Sequence, residues 1–116
     1  MNILKPDQYK VDVTPWGSLT WFASKELNNS ENMTIGKCII KAGEENPRHV
    51  HPNCEEILHV LKGTISHSYN SEEKIMETGD TISIPAGIPH NARNIGNTEA
   101  ELLISFSSAE RRTIGE

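Results

Sequence analysis

The sequence predicts an all-β protein, a sandwich or barrel of short strands. Short apolar or β-branched runs recur along the 116-residue chain, and turn residues such as Lys62-Gly63 and Thr78-Gly79-Asp80 separate them. Short strands at such spacing, with Gly and Pro between them, are typical of these architectures. The predicted strands span residues 19–23, 33–41, 56–61, 64–69, 81–84 and 102–106.

Alternation within the strands predicts which side chains point inward. Lys37 and Lys41 share one face of their strand, so the opposite face should be buried. The two inward sets expected on this basis are Gly36, Cys38 and Ile40, and Leu102, Ile104 and Phe106. Outside the strands, residues 24–31 form either a short helix or an Asn-rich loop. Residues 110–116 are expected to be a frayed polar tail.

Two strands are apolar on both faces, at residues 19–22 and 56–61. A strand buried on both faces needs cover from another segment or another subunit. We therefore expect a homodimer. No repeat, low-complexity run or linker interrupts the chain, so residues 1–116 are treated as one domain. Its barrel core spans about 33–108, and residues 1–32 pack on the barrel or on the dimer partner.

Charge and composition exclude several partners. The chain carries 16 acidic and 11 basic residues, for a net charge of −5, and Arg111-Arg112 is its only adjacent basic pair. This argues against a nucleic-acid surface and against an anionic-membrane anchor. No stretch approaches the roughly 18 apolar residues of a spanning helix, and the first residues lack the layout of a secretion signal. Two cysteines make no disulfide framework, so a cytoplasmic location is expected.

Two segments carry residues typical of metal sites. His49 and His51 lie two positions apart, so in an extended chain both imidazoles project from one face. Pro52-Asn53 is a strong turn pair, after which Glu56 can face the two histidines across a hairpin. Two imidazoles and a carboxylate suit a first-row transition metal rather than calcium or magnesium. The alternative is a polar surface strand without a metal.

The second segment offers a third imidazole. A predicted strand at residues 81–84 leads into the turn Pro85-Ala86-Gly87, and His90 follows. Pro89 fixes its own φ just before His90 and favours an extended conformation at Ile88. His90 could therefore complete the ligand set.

Together the two segments resemble the cupin superfamily. Its patterns are G-x5-H-x-H-x3,4-E-x6-G and G-x5-P-x-G-x2-H-x3-N. This chain matches every position, through Gly43, His49, His51, Glu56 and Gly63, and through Gly79, Pro85, Gly87, His90 and Asn94. The resemblance implies a jelly-roll β-barrel whose metal ligands are His49, His51, Glu56 and His90. Its spacing to Gly63 selects Glu56 as the ligand rather than Glu55.

The resemblance implies one divalent transition-metal ion per chain. A three-His, one-Glu set suits Fe, Mn, Ni, Co, Zn or Cu, and ligand softness does not separate them. Open positions on such an ion would admit a small-molecule ligand or substrate.

Other residues that could take part in chemistry have a structural interpretation, which is the expected one, and some also have a functional alternative. His59 is expected to be a buried or interface histidine rather than a catalytic base. His67 is expected to be a core histidine with satisfied nitrogens, and the alternative is a proton shuttle in the pocket. Cys54 is expected to be an ordinary free thiol, although it could reach a metal or be oxidised. Cys38 is expected to fill space in the barrel.

The charged and aromatic residues near these segments are expected to play no direct part in chemistry. Arg48 and Arg93 lie close to ligands in sequence but on the opposite parity, so they should point outward. Trp16 and Trp21 are expected to pack at the dimer face or barrel mouth rather than to stack on a substrate.

Two function classes fit this sequence. The first is a mononuclear-metal enzyme acting on a small oxygenated substrate, as a dioxygenase, sugar isomerase or lyase/decarboxylase. The second is a non-catalytic small-molecule-binding or sensor protein. The chain carries no helix-turn-helix segment, which argues against a transcriptional regulator, and a single short domain fits a storage role poorly. Fold alone does not decide between enzyme and sensor.

Overall fold

The structure is a computed structural model that describes residues 3–115, and nearly all of its regular structure is strand. A single 3-10 turn, Pro6–Gln8, precedes the first strand. The strands are β1 (Lys10–Thr14), β2 (Gly17–Ala23), β3 (Thr34–Ile40), β4 (His49–Val50), β5 (Glu56–Lys62), β6 (Ile65–Tyr69), β7 (Glu72–Met76), β8 (Thr81–Ile84), β9 (His90–Asn94), β10 (Ala100–Phe106) and β11 (Ile114–Gly115).

These strands form two antiparallel sheets. The larger sheet has the order β1-β2-β3-β10-β5-β8, and the smaller has the order β11-β4-β9-β6-β7. The predicted all-β jelly roll is confirmed. In the described residues, however, no strand pairing joins the two sheets, so the barrel is not closed. Within residues 3–115, no helix is long and apolar enough to cross a membrane.

The core lies between the sheets and follows the predicted alternation. β10 pairs with β3 on one side and β5 on the other, so it runs through the middle of the larger sheet. Both inward sets predicted from the sequence are buried, and Ile40 and Leu102 are almost completely inaccessible to solvent. The larger sheet therefore presents a mostly apolar inner face to the space between the sheets.

The strands that the sequence did not predict include three at sheet edges, β1, β7 and β11. An edge strand can be polar because one side of it has no partner strand. β7 shows this clearly: four of its five residues are exposed and only Met76 is buried. A search for apolar runs misses such strands because pairing, not burial, holds them in place.

The structure also decides the conformation of residues 24–31 and of the C-terminal segment. Residues 24–31 form turns and bends, so the prediction of a loop is confirmed and the alternative of a short helix is wrong. The frayed tail is wrong: Ile114 and Gly115 pair with β4. Asn53 holds the preceding residues, donating to the Glu110 carbonyl at 2.9 Å and accepting from the Arg112 amide at 2.8 Å. The outermost residues of the predicted end segments, 1, 2 and 116, lie outside the described residues.

The two strands that were apolar on both faces differ in structure. On β5, Glu56, Leu58 and Val60 point inward, whereas Ile57 and Leu61 point outward and are exposed. On β2, a register shift after Trp21 breaks the alternation, and the Phe22 ring packs 4.8 Å from that of Tyr9. The second apolar set of β5 therefore lacks cover within the described chain.

Candidate metal centre

Three strands bring the predicted ligands together. His49 on β4 is the cross-strand partner of His90 on β9, and Glu56 begins β5 in the opposite sheet. The chain does turn at Pro52-Asn53, as predicted. The expected hairpin is wrong, however, because β4 and β5 belong to different sheets. The turn instead carries the chain across the core, so that the carboxylate faces the imidazoles from the other sheet.

The four side chains form a compact cluster. One candidate ligand atom from each of His49, His51, Glu56 and His90 lies within 4.8 Å of the others. Glu56 Oε1 lies 3.0 Å from His90 Nε2 and 3.3 Å from His51 Nε2. Three of the four residues are buried and His49 is half-buried. Among the described residues no other group of three or more such side chains gathers in this way.

A backbone carbonyl holds each imidazole. The Nδ1 atom of His49 lies 2.7 Å from the Pro47 carbonyl, that of His90 lies 2.8 Å from the Ile88 carbonyl, and that of His51 lies 2.9 Å from the Arg112 carbonyl. A carbonyl can only accept, so each Nδ1 carries the proton and donates it. In the neutral ring, Nε2 is then an unprotonated donor atom for a metal.

The cluster fits a divalent cation. With neutral imidazoles, Glu56 Oε1 and the two nearby Nε2 atoms would all present lone pairs at 3.0–3.3 Å, which requires a proton or a cation between them. The buried His51 Nε2 forms no hydrogen bond. An ion held by these atoms would satisfy all of them at once. Three imidazoles and one carboxylate suit a transition metal.

The protonation states also suit metal binding. Burial lowers the pKa of His49 to about 4, against the weaker opposing effect of its bond to Pro47, so its ring is neutral at pH 7. Burial by itself would raise the pKa of Glu56, but the neighbouring imidazoles of His51 and His90 outweigh it and lower the pKa to about 2. Metal ligands must be deprotonated, and these groups already are.

The cluster opens onto a cavity of about 230 Å³ between the sheets. Most of the wall is apolar, and the larger sheet supplies Leu19, Trp21, Leu58, Leu102, Ile104 and Phe106. Arg111 and Thr113 line it from the C-terminal segment. A small molecule in this cavity would contact the cluster and an apolar surface at the same time.

His67 lines the same cavity beside the cluster. Its ring stacks on that of His90, with centroids 5.9 Å apart and planes 12° apart. The residue is 2% exposed, and neither ring nitrogen forms a hydrogen bond within the described residues. Burial, with a smaller effect of His90, lowers its pKa to about 4. The expectation of a histidine with satisfied nitrogens is therefore wrong; His67 is a buried, unpartnered imidazole that faces the cavity.

We expect His67→Phe to stabilise the metal-free protein by about 1 kcal/mol or more, because it removes two buried polar atoms that lack partners. Stability should also fall less between pH 6.5 and 4. In that range the unfolded chain takes up a proton that the folded His67, with its lowered pKa, does not. Urea unfolding across this pH range measures both effects.

His59→Phe serves as the matched control for that variant. His59 lies outside the cavity, on β5 of the larger sheet, and its Nδ1 forms a 2.7 Å hydrogen bond with Thr81 Oγ1. Its replacement should give no gain in stability. If His67→Phe lowered the free energy of unfolding as much as His59→Phe does, His67 would not be an unsatisfied polar group.

The remaining sequence candidates lie around the cluster rather than in it. His59 is half-buried on the outer side of β5. Cys54 is buried and does not join the ligand cluster; burial raises its pKa. Cys38 is buried in the cavity wall, as expected for a space-filling thiol, and burial raises its pKa to about 12. Both cysteines are free.

The arginines near the ligands lie outside the cavity, whereas the tryptophans line it. Arg93 points outward, with nitrogens 4.0 Å from Glu45 and 3.9 Å from Glu73. Arg48 donates to Ser68 Oγ at 2.8 Å, away from the cavity wall. Trp16 and Trp21 pack against the core and line the cavity, so they contact any molecule bound there.

No pattern in the sequence indicated the C-terminal part of the site. The Arg112 carbonyl orients His51, and Arg111 and Thr113 line the cavity. Asn46 and Asn91 also line it. The sequence predicted only a polar tail over residues 110–116, and it is the pairing of Ile114 and Gly115 with β4 that holds this segment beside the cluster.

Comparison with known proteins shows to which family the chain belongs. The cupin domain family matches residues 36–106. Oxalate oxidase 2 of Hordeum vulgare is 35% identical over 88 residues, which cover 69% of this chain and 39% of that protein. Germin-like protein 3-5 of Oryza sativa subsp. japonica is 29% identical over 107 residues, covering 85% and 43%. A recombinant oxalate oxidase in complex with glycolate superposes with a TM-score of 0.79 at 26% identity, covering 88% of this chain and 56% of that one.

Two antiparallel sheets that enclose a three-His, one-Glu cluster define a jelly-roll protein with a metal-type centre. The family match covers more than half of the chain. This protein belongs to the cupin family. It spans less than half the length of these curated relatives.

Proposed function

We propose that this cupin is a mononuclear-metal enzyme that acts on a small oxygenated substrate. The observation that carries the proposal is the cluster of His49, His51, Glu56 and His90 opening directly onto a cavity of about 230 Å³. A divalent transition-metal ion bound there would act as a Lewis acid toward a substrate oxygen. The relatives named as oxalate oxidases support a small oxygenated acid as substrate.

The protein's own residues would provide binding, orientation and exclusion of water. Three histidines and Glu56 would hold the ion, and the backbone carbonyls that bond their Nδ1 atoms would fix the ring orientations. The apolar wall would exclude water from the ion's open positions, which strengthens polar interactions inside the cavity. His67 would offer its unpartnered nitrogens to a molecule bound beside His90.

The proposal is tested by metal analysis followed by turnover. Protein purified without a His-tag or chelator should contain close to one equivalent of a transition metal per chain. The metal-loaded protein should then consume dioxygen, release carbon dioxide or isomerise at least one member of a panel of small hydroxy acids, keto acids, diols and sugars. A metal-loaded protein that binds panel members but turns over none would contradict an enzymatic role.

The alternative is a non-catalytic binding or sensor protein that uses the same centre. One observation favours it: beyond the four cluster residues, His67 is the only titratable imidazole that lines the cavity among the described residues. Such a protein would bind a panel member at the metal and release it unchanged. Turnover by the metal-loaded protein rules this alternative out.

We also propose that the chain forms a homodimer through the outer face of the larger sheet. Ile57 and Leu61 of β5 and Val11 and Val13 of β1 are exposed on that sheet. Exposed apolar side chains of this kind gain stability when a second copy covers them. Sedimentation velocity should give twice the 12.9 kDa chain mass, and Leu61→Lys should shift the protein toward the monomer. A monomeric native protein would contradict the proposal.

A further inference from the structure

Arg111 is the one arginine or lysine that lines the cavity in the described part of the chain. It comes from the segment that follows β10, where the sequence predicted a frayed tail. Its guanidinium carbon lies 4.2 Å from the ring centroid of Trp21 and 5.3 Å from that of Phe106. Two aromatic faces thus fix the position of a half-buried cation at the edge of the cavity.

Within residues 3–115, no carboxylate lies within ion-pair distance of this cation. Glu56 and Asp12 act on the Arg111 guanidinium only from a longer distance. The acidic residues nearby have other partners: Asp12 accepts from Trp21 Nε1 at 3.1 Å, and Glu110 pairs with Lys25 at 3.1 Å. Glu26 pairs with Lys10 at 2.9 Å.

The guanidinium retains most of its hydrogen-bonding capacity. Arg111 Nη1 donates to Thr113 Oγ1 at 2.7 Å, whereas a guanidinium has five donors in a planar fork. Burial lowers the pKa of Arg111, which shows that its charge is only partly solvated. A half-buried cation with open donors is suited to bidentate binding of a carboxylate.

Most of the cavity wall near this cation and the metal-type cluster is apolar. The Phe106 ring contacts both, 4.9 Å from the His51 ring and 5.3 Å from the Arg111 guanidinium carbon, and Leu19, Trp21 and Ile104 line the same cavity. The hydroxyl that links the two ends is that of Thr113, which accepts from Arg111 Nη1 and lies 3.3 Å from His51 Nδ1. A molecule that contacts both Arg111 and the cluster would therefore lie against a mostly apolar wall.

We propose that Arg111 binds the carboxylate of a substrate with an apolar body, whose second oxygen function faces His49, His51, Glu56 and His90. The proposal rests on the proposed function and adds the substrate class. The proposed substrate differs from oxalate, the acid in the relatives' names, because oxalate consists of two joined carboxylates and has no apolar body to cover the wall.

The test compares matched anionic and neutral probes. Hexanoate, hexanamide and oxalate are titrated into the full-length protein, both metal-free and metal-loaded, and binding is followed by tryptophan fluorescence and calorimetry. We expect both forms to prefer hexanoate over hexanamide by about tenfold or more, since a charged hydrogen bond contributes about 1.5–3 kcal/mol. In the metal-free form, hexanoate should also bind more tightly than oxalate.

Variants assign the preference to Arg111. In the metal-free protein, Arg111→Gln should bind hexanoate and hexanamide equally, and Arg111→Lys should keep part of the preference because it keeps the charge without the fork. Arg93→Gln is the matched control, because the Arg93 side chain is exposed and points away from the cavity. It should behave as the native protein. Thermal unfolding establishes that each variant is folded before binding is compared.

The outcomes separate this proposal from the proposed function. An absent preference for hexanoate, or one that survives in Arg111→Gln, overturns the role of Arg111. Tighter binding of oxalate than of hexanoate by the metal-free protein overturns the apolar body. If the protein takes up no metal but the Arg111-dependent preference remains, the proposed function fails and the assignment of Arg111 stands.

Discussion

Replacing Glu56 with alanine is expected to reduce bound metal from about one equivalent per chain to nearly none. Glu56 supplies the cluster's only negative charge, and its Oε1 lies 3.0 Å and 3.3 Å from two imidazole nitrogens. Without it, a divalent ion would be held by three neutral rings in a largely apolar cavity, where an uncompensated charge is costly. His49→Ala should have a similar effect, because it removes one of the imidazoles.

Glu55→Ala provides the matched control for Glu56→Ala. Glu55 is the adjacent carboxylate but is exposed, and it is not part of the cluster. Elemental analysis of the purified variants, with circular dichroism to verify folding, measures the effect. Full metal occupancy in both Glu56→Ala and His49→Ala would show that the four-residue assignment is wrong.

Asn94→Ala is expected to lower the free energy of unfolding by about 3 kcal/mol or more. The Asn94 side chain is 1% exposed. Its amide donates to the carbonyls of Ile40 and Thr98 at 2.9 and 2.8 Å, and its Oδ1 accepts from the Gly96 amide at 2.9 Å. Alanine would leave these backbone groups without their partner, and each buried group left unsatisfied costs about 1–3 kcal/mol.

Asn97→Ala isolates the effect of burial from that of removing an asparagine. Asn97 lies in the loop that follows Asn94 and is exposed. Its replacement should therefore change the free energy of unfolding by less than about 0.5 kcal/mol. Urea unfolding of the two variants measures the difference. Equal stability of Asn94→Ala and the native protein would contradict a structural role for this amide.

The Asn94 contacts explain what the spaced motif encodes. Four of its positions, His49, His51, Glu56 and His90, form the cluster, whereas Asn94 ties β9 to the end of β3 and to the following loop. Gly63 is a backbone requirement: its φ is +97°, a left-handed conformation that glycine adopts easily. The motif spacing does not distinguish these positions from one another. Only their contacts separate the predicted metal ligands from the residues that stabilise the fold.

The sequence by itself determined the all-β class, the buried alternation of β3 and β10, and the four residues that gather at the centre. The class and the alternation follow from local rules, because alternation fixes which side chains share a face and turn residues fix where strands end. The four residues were implied as a set by the resemblance to the cupin pattern. Cytoplasmic location, the homodimer and the identity of the metal stay predictions.

Only the tertiary structure decided how the site is enclosed. It sends Glu56 across to the opposite sheet rather than along a hairpin, leaves His67 buried without a partner, and brings Arg111 and the Arg112 carbonyl to the cavity. Each of these depends on contacts between residues far apart in the chain; His51 and Arg112 are separated by 61 positions. Local periodicity carries no information about such pairs, because which distant segment covers a site is decided by the packing of the whole fold.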